Sequence, residues 1–291
     1  MESVQNVEQW REDNKELFVP PVCNKLMHKK QLSIMFVGGP NTRTDFHLDE
    51  SSEFFYQVKG NMELPTIQNG QRKVVRINEG QVFLLKSRVP HSPQRPETGS
   101  FGLVVERSRE DDEMDGLRWY TDFEKCDEIL WERYFHCGDL GRDLVPVVND
   151  YTQSEQCRTG KPNAESIVSN PPLKQDFTTE LPDPFMLSDW LEEHKAELAK
   201  GASLNLFPNH PDKEGNVRVE GGQAEFTREA VDYETWVYQL KGEVTVVLDG
   251  QDTTILAEGE CGVIPSGKQP TYKRPEGSIG LTVQLNPKGN K

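Results

Sequence analysis

The sequence predicts a β-dominated chain built from two copies of one β-barrel domain, with helices connecting them. Three observations carry this reading. Short apolar runs alternate with glycine-bearing turn pairs, the pattern of an all-β sandwich or barrel. A strand-and-turn string occurs twice, as FFYQVKG at 54–60 and WVYQLKG at 236–242, and GQVFLL at 80–85 is echoed by GECGVI at 259–264. The 291 residues, 34% hydrophobic and 28% charged, suffice for two cores and contain no low-complexity tract.

In chain order, residues 8–18 suit a short helix anchored by Trp10 and Leu17 and stopped by Pro20-Pro21. Strands are expected at Leu32–Val37, Glu53–Val58, Met62–Ile67, Val74–Ile77, Val82–Leu85 and Gly102–Glu106. Gly38-Gly39, Lys59-Gly60, Asn69-Gly70 and Glu79-Gly80 supply turns between them. Residues 107–116 are acidic and expected on the surface. Phe123, Cys126, Ile129, Leu130, Tyr134 and Cys137 are spaced as one face of a helix over Asp122–Cys137, ended by Gly138. A polar, proline-bearing stretch from about 157 to 184 reads as a linker or surface wrap. Ser188 is placed to cap a helix running to Lys200, with Gly201 at its end. Strands then return at Thr235–Leu240, Glu243–Leu248, Thr253–Leu256, Gly262–Ile264 and Gly280–Leu285. The expected division is an N-terminal catalytic unit over 1–110, a helical connection over 111–200 and a C-terminal unit over 201–291.

A net charge of −15 argues against nucleic acid and anionic membrane surfaces as partners. No stretch approaches the roughly 20 apolar residues that span a bilayer. The N-terminus is acidic and lacks the apolar core of a signal peptide. Five scattered cysteines without a Cys-x-x-Cys pair fit free thiols in a reducing compartment, so the cytosol is the expected location.

The chemistry concentrates in two stretches. Arg43, Asp45 and His47 share a face if their segment is extended, and Glu53 opens the following strand. His91 and Arg95 share parity in the second stretch, although Pro90 and Pro93 disturb regular pairing there. Two histidines and one carboxylate form the usual donor set for non-haem Fe(II), leaving positions open for substrate and O2. His28, His136, His194 and His210 have no such context and are expected to be structural or on the surface.

The spacing Gly39-x5-Asp45-x-His47-x5-Glu53-x6-Gly60, followed by Gly80-x5-Lys86-x-Arg88-x2-His91-x3-Arg95, resembles the two cupin motifs. Asp45 stands where the first motif usually has a histidine, which leaves His47, Glu53 and His91 as ligands and gives Asp45 a supporting or solvent-facing role. In the second copy Glu229, Thr235 and Pro270 take the places of His47, Glu53 and His91, so that copy is expected to bind no metal. The resemblance implies a bicupin, two jelly-roll barrels in one chain.

PPVCNKLMHK (20–29), GGPNTR (38–43), VPHSPQR (89–95), GLVVER (102–107) and RTGKP (158–162) are similar to the 3-hydroxyanthranilate 3,4-dioxygenase family of the eukaryotic double-cupin type. That resemblance implies one Fe(II) per chain on His47, Glu53 and His91. It also implies Arg95 on the substrate carboxylate, Glu106 on the ring amine or hydroxyl, and Arg43 beside O2. The implied reaction opens 3-hydroxyanthranilate to 2-amino-3-carboxymuconate 6-semialdehyde, a precursor of quinolinate and NAD. Bacterial members resemble a single cupin with a Cys-x-x-Cys iron site; this chain has no such pair, so no second metal is expected. A monomer is expected because the second copy can cover the face by which single cupins dimerise. Two other readings compete. A manganese oxalate oxidase or decarboxylase would want three histidines and a glutamate, and a storage bicupin would need neither arginine. A structural Arg95–Glu106 ion pair is the non-catalytic alternative for those two residues.

Overall fold

The central strands are apolar on both faces, so each needs cover on both sides, and the chain provides it by packing one copy's sheet on the other's. The computed structural model describes residues 1–20 and 23–290; Pro21, half of the expected helix stop, lies outside the described residues. The first six-stranded sheet has the order Phe185–Met186, Gln81–Leu85, Glu53–Lys59, Phe101–Arg107, Leu32–Gly38 and Asn24–Lys29. The second repeats it as Glu2–Asn6, Glu260–Ile264, Thr235–Lys241, Ile279–Leu285, Gly215–Gly221 and Ser203–Asn205. Each is closed towards a barrel by smaller sheets, so the fold is a bicupin of two jelly rolls.

Side-chain alternation divides the core into three. Phe54, Val82, Leu84 and Val105 point towards the other copy and meet Trp236, Val263, Leu281 and Val283 in one large cluster. Their neighbours Phe55, Phe83, Leu85 and Val104 fill the first barrel with Met62, Leu64 and Ile77. Val237, Val244, Val246, Ile264 and Tyr272 fill the second. Each such fully buried side chain contributes about 1.5–3 kcal/mol, so the seam between the copies is a core in its own right.

The outermost strands are exchanged. Glu2–Asn6, at the start of the first copy, pairs with Glu260–Ile264 of the second sheet. Phe185–Met186, at the start of the second, pairs with Gln81–Leu85 of the first. Each leads directly into a helix, Val7–Asp13 and Leu187–Glu193, and both helices bring a tryptophan, Trp10 and Trp190, to the shared core. The turns after the repeated strings keep their geometry, with Gly60 at φ +65 and Gly242 at φ +67, a region a side chain disfavours.

The expected strands are present, most of them one or two residues longer than expected, but the connection between the copies differs from the expectation. Asp122–Cys137 is not a helix: Ile129–Phe135 is a strand, antiparallel to Asp115–Tyr120, which also pairs with Phe46–Leu48. ILWERYF is rich in aromatic and branched residues, and Trp119 lies opposite Trp131 with ring centroids 5.4 Å apart. That cross-strand contact outweighs a helical spacing that was coincidental. The helix in this region is instead Leu140–Gln153, started by Asp139, whose side chain accepts from the Arg142 N–H at 3.0 Å. Residues 107–116 are not simply a surface loop, because Arg107, Glu113 and Asp115 are buried. Ser188 does not cap its helix; Met186 occupies the cap position without a side-chain bond, and the helix breaks at His194 before Lys195–Leu198. The polar stretch wraps the first copy, with Asp176 on Lys86 at 2.8 Å and the Leu181 N–H on Gln68 Oε1 at 2.9 Å. All five cysteines are free.

Candidate active site

His47 and His91 are brought together by backbone pairing. Their N–H and C=O groups exchange hydrogen bonds at 2.8 and 2.9 Å, which sets the two rings 5.4 Å apart across the barrel mouth. Glu53 enters from the start of Glu53–Lys59 in the six-stranded sheet, and its Oε1 lies 3.1 Å from His91 Nε2. A fourth group joins them: one ligand atom each of His47, Asp49, Glu53 and His91 lies within 4.8 Å of the others, and all four residues are buried. Asp49 Oδ2 is 3.6 Å from His47 Nδ1. Asp49 has the same parity as Arg43, Asp45 and His47, so carrying the alternation one step further would have found it.

The charges in this cluster are poorly balanced without a cation. Burial pushes the Asp49 carboxyl up to about 8. Burial would also raise Glu53, but the charge and hydrogen bond of His91 pull it down to about 2. Reciprocally, burial alone would lower His91, and Glu53 lifts it to about 9. Buried carboxylates and imidazoles converging within metal-ligand reach fit a divalent cation, which would supply the charge that protons otherwise provide.

Behind the donors lies a support layer that sequence reasoning missed. Asp115 Oδ2 holds His47 Nε2 at 2.7 Å. Arg109 ties the layer together, donating to Asp115 at 2.6 Å, Glu106 at 3.1 Å and Asp49 at 3.2 Å. Both residues fall in the stretch expected on the surface. Their only sequence signal was an arginine and an aspartate amid acidic residues, which cannot be told from solvated charge. His91 Nδ1 is fixed by the Val89 carbonyl at 3.0 Å. Such partners orient ligands and fix their tautomers.

Arg43, His47, Glu53, His91, Arg95 and Glu106 all line one cavity of about 310 Å³. Its walls include Val37, Phe55 and Val104 from the barrel, and Leu144 and Val145 from the unexpected helix. The spacing of Leu144, Val147, Val148 and Tyr151 was a readable signal for that helix, masked by Pro146 in its interior. Arg43 pairs with Asp45, its Nε 2.9 Å from Oδ1, so Asp45 is turned to the arginine rather than into the donor group. Arg95 and Glu106 do not form an ion pair with each other. Glu106 accepts from Arg109, and burial pushes it up to about 7. Arg95 is buried, its Nε has no partner among the described residues, and its Nη2 reaches Met62 Sδ at 3.3 Å.

The family model for 3-hydroxyanthranilic acid dioxygenase matches residues 1–152. The chain belongs to the 3-hydroxyanthranilic acid dioxygenase family. The similarity to its relatives runs through both copies. A 3-hydroxyanthranilate 3,4-dioxygenase of Rattus norvegicus is 42% identical over 99% of this chain and 98% of the relative. The Homo sapiens protein of that name is 41% identical over 99% and 98%, and one of Nematostella vectensis is 42% identical over 97% and 99%. Among solved structures, a point mutant of Bacillus subtilis oxalate decarboxylase aligns with a TM-score of 0.50 over 90% of this chain and 72% of that one, at 15% identity. That likeness concerns the fold alone. No helix among the described residues is long and apolar enough to cross a membrane.

In this dioxygenase-family chain the second copy is rebuilt at the corresponding place. Thr235 lies opposite Ile264 as Glu53 lies opposite Leu85, and Pro270 takes the position of His91. The residue matching His47 is Arg228 rather than the expected Glu229, because the Arg228 N–H bonds the Pro270 carbonyl as His47 bonds that of His91.

Proposed function

We propose that the protein is an iron-dependent 3-hydroxyanthranilate 3,4-dioxygenase. It would open the ring of 3-hydroxyanthranilate with O2 to give 2-amino-3-carboxymuconate 6-semialdehyde, on the route to quinolinate and NAD, as a cytosolic monomer. The single observation that carries this reading is an arginine buried without an ion-pair partner among the described residues, in the same cavity as a buried histidine–carboxylate donor set. Membership of the family agrees with it.

In this proposal residues 1–110 carry the chemistry and residues 201–291 form the metal-free copy. His47, Glu53 and His91 would hold one Fe(II), with Asp49 at the edge of the donor group. Bound there, Fe(II) supplies the one-electron chemistry that lets triplet O2 react with a closed-shell ring. Arg95 would take the substrate carboxylate through its planar fork. Val37, Phe55 and Val104 offer apolar walls to the ring, and Leu144 and Val145 limit water at the mouth. Glu106, pushed up to about 7 by burial, is suited to accept hydrogen bonds and a proton from the ring amine or hydroxyl. Arg43, held by Asp45, would favour negative charge developing on O2.

The test is direct. Anaerobic titration of the Fe(II)-loaded chain with 3-hydroxyanthranilate should change its spectrum, and admission of O2 should consume the gas and release the ring-opened product. Substrate binding without O2 uptake would sink the ring-opening reading.

A further inference from the structure

Arg95 has a counterpart in the second copy. Gln94 lies opposite Glu63 as Lys273 lies opposite Thr245, so Arg95 and the buried Arg274 occupy matching positions. Their surroundings match as well. The Gln57 amide donates to Ser100 Oγ at 3.0 Å, and the Gln239 amide donates to Ser278 Oγ at 3.0 Å.

Their partners do not match. Arg274 Nη1 donates to Gln239 Oε1 at 3.0 Å, and Nη2 donates to Glu220 Oε2 at 3.2 Å. Arg228 donates to the same glutamate at 2.6 Å, which completes an Arg–Glu–Arg cluster around the buried Glu220. In the first copy Gln57 Oε1 has no partner among the described residues and Arg95 Nη2 reaches only Met62 Sδ, whereas Nε is unpartnered in both arginines. Strand register explains the difference. Val37 lies opposite Gly102, and Glu220 lies opposite Gly280, so Val37 stands where the second copy has its glutamate.

We infer that Val37 is a specificity-determining residue: by being apolar where the other barrel has Glu220, it keeps Arg95 free for the carboxylate of an incoming aromatic ligand. The identity of the ligand rests on the dioxygenase reading; the role of Val37 in sparing Arg95 does not. A guanidinium buried without an anion is costly, and a bidentate carboxylate from the ligand offsets that cost. A ligand lacking the carboxylate leaves the cost in place and is disfavoured. Val37 also lines the cavity, so a carboxylate introduced there would meet Arg95 as Glu220 meets Arg274.

The experiment compares two ligands that share the ring amine and hydroxyl, 3-hydroxyanthranilate and 2-aminophenol, titrated without O2 into the Fe(II)-loaded chain. The wild type is expected to favour the carboxylated ligand by roughly a hundredfold, the scale of a charge-assisted buried pair. Val37→Glu should bring the ratio to within about threefold by weakening 3-hydroxyanthranilate far more than 2-aminophenol. Val37→Gln, of the same size but uncharged, should lower the ratio by about tenfold. A folded Val37→Glu chain that keeps the wild-type ratio would overturn the inference, as would a Val37→Gln chain that loses as much as Val37→Glu. If Val37→Glu fails to fold, an unchanged ratio in Val37→Gln overturns it instead. O2 uptake separates the two readings. A carboxylate preference that Val37→Glu removes, without uptake in the wild type, supports the role of Val37 and removes the ring-opening activity; uptake without a preference removes the role of Val37 alone.

Discussion

The two barrels share a register down to single residues, and each keeps a cavity at the matching place, about 310 Å³ in the first and about 360 Å³ in the second, yet only the first lines it with histidine and carboxylate donors. Where the first has Glu53 and His91, the second has Thr235 and Pro270, and in place of His47 it has Arg228. The second barrel satisfies Arg228 and Arg274 with Glu220, and Gln284 donates to Thr235 Oγ1 at 2.8 Å. The first gathers its buried carboxylates around Arg109, His47 and His91 and leaves Arg95 without an anion among the described residues. The same architecture therefore forms with or without the donor set, so the fold itself does not require it. Internal polar pairing, not loss of the cavity, is what separates the second copy from the first.

The widest gap between the copies should appear at the proposed ligands. His47→Ala and His91→Ala are expected to abolish bound iron and lower turnover by more than about a hundredfold, beyond the usual cost of losing an outer partner. Pro270→Ala should leave metal content unchanged. Metal analysis beside O2 uptake checks both, and iron retained in His91→Ala would break the comparison.

The two arginines should fail in opposite ways. Arg95→Ala is expected to raise KM by about ten- to a hundredfold with little loss of stability, since it removes a charge that lacks an ion-pair partner. Arg274→Ala should cost about 3 kcal/mol in urea unfolding, with KM unchanged, because it strips one partner from Glu220. Equal KM effects in the two variants would show that the cavities are not distinguished by their internal pairing.

A smaller effect is expected at the seam. Glu214 reaches from the second copy to Arg107 at 2.9 Å and to Ser51 Oγ at 3.2 Å, and burial pushes it up to about 7. A carboxyl raised in the folded state makes folding take up a proton. Its contribution is complete below the ordinary carboxylate range and is lost as pH rises through about 7. Stability from this group should fall by roughly 2–3 kcal/mol between about pH 4.5 and about pH 7, and Glu214→Gln should flatten that slope in denaturant unfolding. An unchanged slope would show that Arg107 holds Glu214 charged throughout.

The smallest difference separates the two exchanged helices. Asn6 caps the first, accepting from the Gln9 N–H at 3.0 Å, whereas Met186 gives the second no side-chain cap. Asn6→Ala is expected to cost about 1 kcal/mol, and Met186→Ala nothing through capping. Thermal unfolding resolves the pair, and equal losses would show that packing rather than capping sets the helix entry.

Much of this was legible in the chain itself. Short apolar runs, tight-turn glycines and the FFYQVKG/WVYQLKG repeat determined the strands and the duplication, because those signals are local and survive without tertiary context. Strand parity and motif spacing likewise selected Arg43, His47, Glu53, His91 and Arg95, the family resemblance added Glu106, and these residues do line one cavity. What the sequence could not determine depends on partners far along the chain. Ile129–Phe135 became a strand because Trp131 meets Trp119, and Asp115 became buried because Arg109 neutralises it beside His47. Glu2–Asn6 found its place only on the other copy's sheet. Whether a buried arginine is structural or free to bind was likewise a tertiary matter, decided by the residue opposite one glycine: Val37 in one barrel, Glu220 in the other. A charge is read locally, but its compensation is set by whatever the fold places within a few ångströms of it.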